Sequence, residues 1–502
     1  MKGHVLFVSL AAASVLAAAV TVNEDNSRFF SKLPPESMTT EALGKFVDSV
    51  AVGGHVARLV FCAAASRASY ASQVVEPVWF DLTGAEVDAP AWPANAKRLV
   101  DAGIDPYREW IDASRRRGIS PWLSLRLNDL HGCLSTNAFQ LSTFWRTRRD
   151  LYRVPGKDPL RQRGAWTDYA LDYSHEEVRC YYLSLAEEML MRYDADGLEL
   201  DFLRFSRHLT PGKEREQAPL LTEFVRSVRM AANAAGKAHG RRIALSARVP
   251  EWREAALAFG LDVAAWTREG LVDEIVPCNM WAASNFDLRI DEWTRELAAI
   301  RPSVRVTPGT DFSVNGESGT QNLMDYAAYC GWADCMYARG ASDFYLFNVS
   351  YLVPETQRTL YEKGLDAATV AGCRRRYPLT FHDGVPEGMD GGKVLPANDR
   401  TNCTFRVFCG RAFPAREVAV VLGLTRAESE YAVRGVMLNG NTAEQPPERE
   451  KSVAGYGVKD RTKSVWRYRF PMTALREGTN VVTTCGMPQV ARINWCEVEV
   501  EP

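Results

Sequence analysis

The run Asp196-Gly197-Leu198-Glu199-Leu200-Asp201-Phe202 poses a chemical question. Successive side chains of a strand point to opposite faces. Leu198, Leu200 and Phe202 therefore share one face, and Glu199 and Asp201 share the other. A buried carboxylate is costly unless paired or hydrogen-bonded, so two on one inward face require partners, a reaction, or both. Two further runs alternate in the same way. Leu123, Leu125 and Leu127 leave Ser124, Arg126 and Asn128 on the opposite face, with Asp129 and His131 following. Ile243, Leu245, Ala247 and Val249 leave Ser246 and Arg248. If the three runs are neighbouring parallel strands, Arg126 and Arg248 flank Glu199 and Asp201, about 4.8 Å away per strand step. Arginine stays charged, so these two would hold carboxylates ionised rather than donate protons. Glu199, the deeper group, is expected to be held between the arginines as structure. Asp201, nearer the strand's exit, is expected to do chemistry. Arg204, Arg207 and His208 follow it.

Hydrolysis of a glycosidic bond needs two carboxyl groups. They stand about 5–5.5 Å apart in retaining enzymes and about 6.5–9.5 Å apart in inverting ones. With Asp201 as nucleophile or base, the first candidate for the acid is Glu251, just past Pro250 at the end of its strand. Asp311 is the second. Trp281 is placed to stack on a sugar ring, and Asn279 and Asn348 end strands and are placed to bind hydroxyls. Arg126, Asn128, Asp129, His131, Glu199, Arg204 and Arg248 complete the expected substrate shell. Each has a structural reading beside the functional one: Glu251 as a solvated helix opener, Trp281 as core, His131 and His208 as loop hydrogen-bonders. Asp201 with Asp129 and His131 also leaves a metal-assisted, non-hydrolytic enzyme open, and a barrel that binds glycans without cleaving them is a third reading. No HExxH, CxxC, P-loop, GxSxG or strand-associated GxGxxG motif occurs, so neither a cofactor nor a metal is indicated.

Such residues need a scaffold that gathers strand ends. Short apolar runs at Val20–Asn23, Ala57–Cys62, Ile119–Leu127, Gly197–Leu203, Ile243–Val249, Glu274–Met280, Val304–Thr307 and Phe344–Asn348 alternate with amphipathic stretches. Eight strands alternating with helices predict a (β/α)8 TIM barrel over 20–375, with its site at the strands' C-terminal ends. Ser174-His175-Glu176-Glu177 reads as a capping box opening one helix. Arg374-Arg375-Arg376 then leads into PEGMDGGKVLPANDR, which reads as a linker. Beyond it, β-branched runs at Glu417–Leu422, Tyr431–Leu438, Val465–Phe470, Val481–Thr484 and Ile493–Val500, with an Asn439-Gly440 hairpin signal, predict an all-β sandwich as a C-terminal domain over 376–502.

The opening MKGHVLFVSLAAASVLAAAV has a basic start, an apolar stretch and small residues, and predicts a signal peptide over 1–19 and a secreted or periplasmic protein. No later run is apolar enough to span a membrane, so the mature form is expected to need none. Lys plus Arg is 60 against 62 for Asp plus Glu, a net charge of −2, which argues against a nucleic-acid binder that relies on global positive charge. The 11 cysteines show no zinc spacing. The sequence specifies no oligomeric state.

The segment ALDYSHEEVRCYYLSLAEEMLMRYDADGLELDFLRF resembles the central segment of the bacterial glycosyl-hydrolase-like family 10 barrel proteins. Leu171-Asp172, His175, Val178, Arg179, Tyr193-Asp194 and Asp196-Gly197 match its pattern, with Glu176 in place of the usual proline. RLNDLH and GLDVAAWTREGLVDEIVP resemble the secreted subset that carries a β-sandwich. DGLELD is also similar to the strand-four run of α-amylase-type barrels, in which the last Asp is the nucleophile. The resemblance implies a carbohydrate substrate and a strand-four role for Asp201, and it names no particular sugar.

Overall fold

The computed structural model describes residues 18–502 apart from 26, 82–89, 136–138, 160–164, 281–283, 317–321, 383, 398–401, 412–414, 428–432, 445, 458–460 and 486–491. Its first part is a ring of parallel strands: β1 (Val20–Glu24), β2 (Val56–Ala64), β3 (Ser120–Arg126), β4 (Gly197–Asp201), β5 (Ala244–Pro250), β6 (Glu274–Cys278), β7 and β8 (Phe344–Phe347). β7 comes in two pieces, Arg305–Val306 pairing with β6 and Gly309–Thr310 pairing with β8. β8 pairs in turn with β1. The sheet thus closes through the chain itself, with Pro308 at the break, where a residue lacking an N–H is tolerated. This is the (β/α)8 barrel, with all eight strands where the alternating pattern places them.

Helices such as Glu176–Arg192 and Glu214–Ala238 cover the outside. The outward leucines of β3, β4 and β5 are buried beneath them. The capping box does not form: the helix starts at Glu176 with His175 as its N-cap and no side-chain cap. The Ser174 N–H instead bonds the Asp172 carboxylate at 2.8 Å, which turns the chain one residue late.

Register stacks the interior in rows. Trp122, Gly197 and Ala244 lie side by side at the bottom, Ser124, Glu199 and Ser246 above them, and Arg126, Asp201 and Arg248 at the top. The bottom row forces the glycine, since a Cβ on Gly197 would lie 2.5 Å from the Trp122 indole. That indole is fixed in turn, donating to Ser120 at 3.1 Å and lying under Arg58. Gly197→Ala is expected to cost about 1–3 kcal/mol through overpacking, read as a lower urea midpoint at unchanged slope.

The second part is a sandwich of antiparallel sheets. One runs, in order, Arg375–Pro378, Ile493–Glu501, Glu417–Leu424, Ser464–Phe470, Glu448–Arg449; the other Asn402–Cys409, Gly478–Cys485, Met437–Leu438, Asn441–Thr442. Asn439-Gly440 makes the expected hairpin, both residues at positive φ (52° and 83°). Two expectations need correction. Of the Tyr431–Leu438 run, only Met437–Leu438 is strand among the described residues. The boundary at 375/376 falls inside an element: Arg375–Pro378 is a buried strand of the sandwich, and the PEGMDGGKVLPANDR run follows it without a helix or strand among its described residues. The strand's guanidiniums bury because carboxylates meet them, Arg376 with Glu497 at 3.0 Å and Asp325 at 2.9 Å. Tyr377 meanwhile donates to Asp334 on the barrel helix Tyr326–Ala338 at 2.5 Å. Among the described residues no helix is long and apolar enough to cross a membrane.

Candidate active site

The top row of the barrel interior is the site. Asp201 is fully buried, and so is Arg248. The guanidinium grips the carboxylate at both ends, Nε to Oδ1 and Nη2 to Oδ2, each at 3.0 Å. The Leu203 N–H also donates to Oδ1 at 3.0 Å. Glu199 lies one row down and differs from expectation. Asn23 of β1 and Ser124 donate to its Oε1 at 3.0 and 2.8 Å, so it is held by neutral donors rather than between the arginines. Burial and then Asp201 push it up to about 7.

On the other side of Asp201, Arg126 reaches Asp129 at 3.3 Å and Asp25, just past β1, at 3.4 Å. Asp129 also meets His131 Nδ1 at 2.5 Å, and Arg204 Nη2 lies 3.1 Å from His131 Nε2. A guanidinium only donates, so Nε2 accepts and the ring proton sits on Nδ1, facing Asp129. Burial opposes it, but His131, Arg126 and Arg204 hold the Asp129 carboxyl well below the usual carboxylate range. The guanidiniums of Arg248, Arg204 and Arg126 converge on one ring, Phe347 at the end of β8, at 3.8, 5.5 and 5.7 Å from its centroid. A ring face receives a cation favourably, so Phe347 holds the three at the mouth.

Asp311, beyond β7, is 2% exposed and belongs to this field. Burial pushes it up to about 6 even though the Phe312 N–H, Arg204 and Arg248 oppose the shift. Asp201 and Asp311 thus sit in different environments. One is gripped by the Arg248 guanidinium, and the other is felt by it at longer range.

Glu251 sits apart. His382 Nδ1 lies 2.5 Å from its Oε1, and Asn285 Nδ2 donates to its Oε2 at 2.7 Å. Trp293 donates to its carbonyl at 2.7 Å. It lines a cavity of about 360 Å³ with Trp252, Trp293 and Met389, and Asp201 is not among that cavity's lining residues.

No family model matches the chain, and no curated protein matches it. Solved structures do. The glycoside hydrolase domain of PgaB (BpsB) from Bordetella bronchiseptica is 10% identical at a TM-score of 0.43, over 70% of this chain and 99% of that one. A noncanonic maltogenic alpha-amylase, AmyB, from Thermotoga neapolitana is 9% identical at 0.40, over 94% and 99%. A Paenibacillus sp. cycloisomaltooligosaccharide glucanotransferase is 11% identical at 0.35, over 96% of this chain and 57% of that one. The chain spans 48% of an alpha-L-fucosidase from Paenibacillus thiaminolyticus. It therefore covers about half the length of two of the structures it resembles.

The remaining candidates divide. Asn128, at a left-handed φ of 58°, spends its side chain on backbone: Nδ2 donates to the Leu171 and Arg207 carbonyls and Oδ1 accepts from the Leu171 N–H. Asn279 reaches the Phe381 carbonyl at 3.5 Å. Asn348, also left-handed, is buried at the end of β8. Trp281 lies outside the described residues. His208 is fully buried, and burial pulls it down to about 3, so it is neutral. Among the described residues no group of three or more His, Cys, Asp or Glu could hold a metal. Sequence reasoning missed Asn23, Asp25, Asn285 and His382. The first two had a signal, because Asn23 alternates inward between Val22 and Glu24. The last two had none, since they meet Glu251 only through the fold.

Proposed function

We propose that the chain is a glycoside hydrolase whose working pair is Asp201, the nucleophile or base, and Asp311, the proton donor. The observation that carries this reading is the unequal treatment of two buried carboxyls around Arg248, one gripped bidentately and the other pushed up to about 6. A buried carboxyl raised toward the neutral form, with a second carboxyl held by a guanidinium, suits the acid and the nucleophile of glycosidic cleavage. Asp311 fits the acid better than Glu251, both of whose oxygens are engaged by His382 and Asn285. Glu251 then positions the His382 segment. Arg126, Arg204 and Arg248 keep the mouth charged, and substrate would enter over them.

A reaction that needs Asp311 protonated slows as pH rises through about 6. Screening polysaccharides and 4-nitrophenyl glycosides should find a substrate whose kcat/KM falls on that limb. Asp311→Asn should remove the limb and slow polymer cleavage by about 10²–10⁴-fold, with a smaller loss on the activated glycoside, whose leaving group needs no proton. A limb that survives in Asp311→Asn and disappears in Glu251→Gln would return the acid role to Glu251.

A second reading, a barrel that binds glycans without cleaving them, is favoured by the complete burial of Asp201 and its three hydrogen-bond donors. An oligosaccharide complex of the unaltered protein that persists for days would decide for it. We also place the mature protein outside the cytoplasm, on the pattern of residues 1–19. N-terminal sequencing of the exported protein should read from Val20.

A further inference from the structure

Three cavities meet where the exits of β5 and β6 face the sandwich. The first, about 150 Å³, lies among the helices Arg253–Ala258, Val263–Arg268 and Ile290–Ile300. The second is the cavity of about 360 Å³ that Glu251 lines, and it shares Arg253, Glu254 and Trp293 with the first. The third, about 340 Å³, opens between the 378–382 segment and the sandwich strand Asn402–Cys409, which stands at the edge of its sheet. Glu251 divides the second from the third: its carboxylate meets His382 and Asn285, and both of these line the third. Trp252, in the second, lies against the His382 ring with centroids 3.8 Å apart. The middle cavity therefore shares a wall with each of the others, and together they make one groove that crosses the joint between barrel and sandwich.

The walls suit a ligand without charge. Trp252, Trp293, Phe381 and Phe408 line the groove, and Leu257 and Val394 stay open to solvent in its two outer parts. Arg253 is paired with Glu254, Glu292 and Glu296, Arg289 with Glu292, and Asp287 with Arg339. Arg406 is exposed at the rim. Carboxylates outnumber guanidiniums among the described lining residues, which disfavours an anionic chain, and the buried one, Glu251, already has its donors. Rings beside paired charges and amides complement C–H faces and hydroxyls, the two surfaces of a neutral sugar. One wall is also fixed in advance. Asn279, just past β6, donates to the Phe381 carbonyl at 3.5 Å, and the His382 N–H donates to the Gly391 carbonyl at 2.8 Å. Little ordering is left for a ligand to impose there.

We infer that this groove binds a neutral glycan chain, with Trp252 in its middle part and the sandwich edge as one wall. That the chain is a glycan rests on the hydrolase reading above, whereas its length and neutrality rest on the three cavities and what lines them. Electrophoresis of the protein through gels cast with dextran, soluble starch, galactomannan, xyloglucan, polygalacturonate or chitosan tests it. At least one of the four neutral polymers should retard the protein, and more strongly than either charged one. In titration calorimetry a hexasaccharide of that polymer should bind about tenfold or more tightly than its disaccharide, since each further ring contact adds to the affinity. Trp252→Ala should abolish the retardation. Thr404→Trp, at an exposed position of the edge strand, should do the same by filling the sandwich end of the groove. Both variants should melt as the unaltered protein does, and if Trp252→Ala does not fold, Thr404→Trp decides alone. The inference is overturned if no neutral polymer retards the protein, if only a charged one does, if the two oligosaccharides bind equally, or if retardation survives either folded variant. Trp252-dependent retardation without cleavage of any polymer or 4-nitrophenyl glycoside would keep the groove and sink the hydrolase. Cleavage with an unchanged KM in Thr404→Trp, and no retardation of the unaltered protein, would do the reverse.

Discussion

Asp201→Asn is expected to abolish turnover and to cost the fold about 3–5 kcal/mol at once. The two losses have different origins. Turnover is lost because a neutral amide can neither attack nor take a proton, and removal of such a group costs at least about 10³-fold. Stability is lost because Arg248 is fully buried and its carboxylate partner would be gone, leaving a charge in the barrel with a neutral amide, the Cys278 sulfur and the Phe347 ring beside it. An inactive Asp201→Asn protein is therefore ambiguous by itself. Adding Arg248→Met removes the stranded charge, and replacing both members of a buried pair is often neutral or stabilising. The double variant should regain most of the urea midpoint and none of the activity. A double variant that folds and still cleaves the substrate would remove Asp201 from the mechanism. A single variant as stable as the unaltered protein would show that Arg248 does not depend on Asp201 for its charge.

That ambiguity marks where the sequence could be read and where it could not. The inward rows were legible because a strand alternates strictly, so Ser124 and Arg126, Glu199 and Asp201, and Ser246 and Arg248 fall into line without any structure. What alternation does not supply is register. Whether the arginines stand level with Glu199 or with Asp201 depends on how β3, β4 and β5 slide against each other, and the observed pairing puts them beside Asp201. The buried strand Arg375–Pro378 was missed for a related reason. Three arginines signal solvent unless their carboxylates are known, and Glu497, Glu499 and Asp325 lie far along the chain. His382 was invisible for the same cause: it comes from a glycine-rich stretch, yet it meets Glu251, 131 residues away. Local pattern reports burial and periodicity. Partners that the fold brings in from a distance leave no local trace.

The joint between barrel and sandwich offers the second large effect. Gly331 lies inside the helix Tyr326–Ala338, where alanine would ordinarily be better by about 1 kcal/mol. Here a Cβ would lie 2.0 Å from the Arg376 carbonyl oxygen and 2.8 Å from its carbon. That backbone cannot yield, since Arg375–Pro378 is paired with Ile493–Glu501 and Arg376 is anchored by Glu497 and Asp325. The helix must therefore move away, and with it the bond from Tyr377 to Asp334. Gly331→Ala should cost about 3 kcal/mol, the upper end of overpacking. It should also split a single unfolding transition into two, as barrel and sandwich lose their shared wall. Gly44 provides the control: it too lies within a helix, but a Cβ there meets nothing within 4 Å. Gly44→Ala should stabilise by about 1 kcal/mol. The same substitution with opposite signs at two helical glycines would locate the effect at the joint rather than in helix propensity. A Gly331→Ala protein that unfolds in one step at the original midpoint would show that the two parts do not lean on each other there.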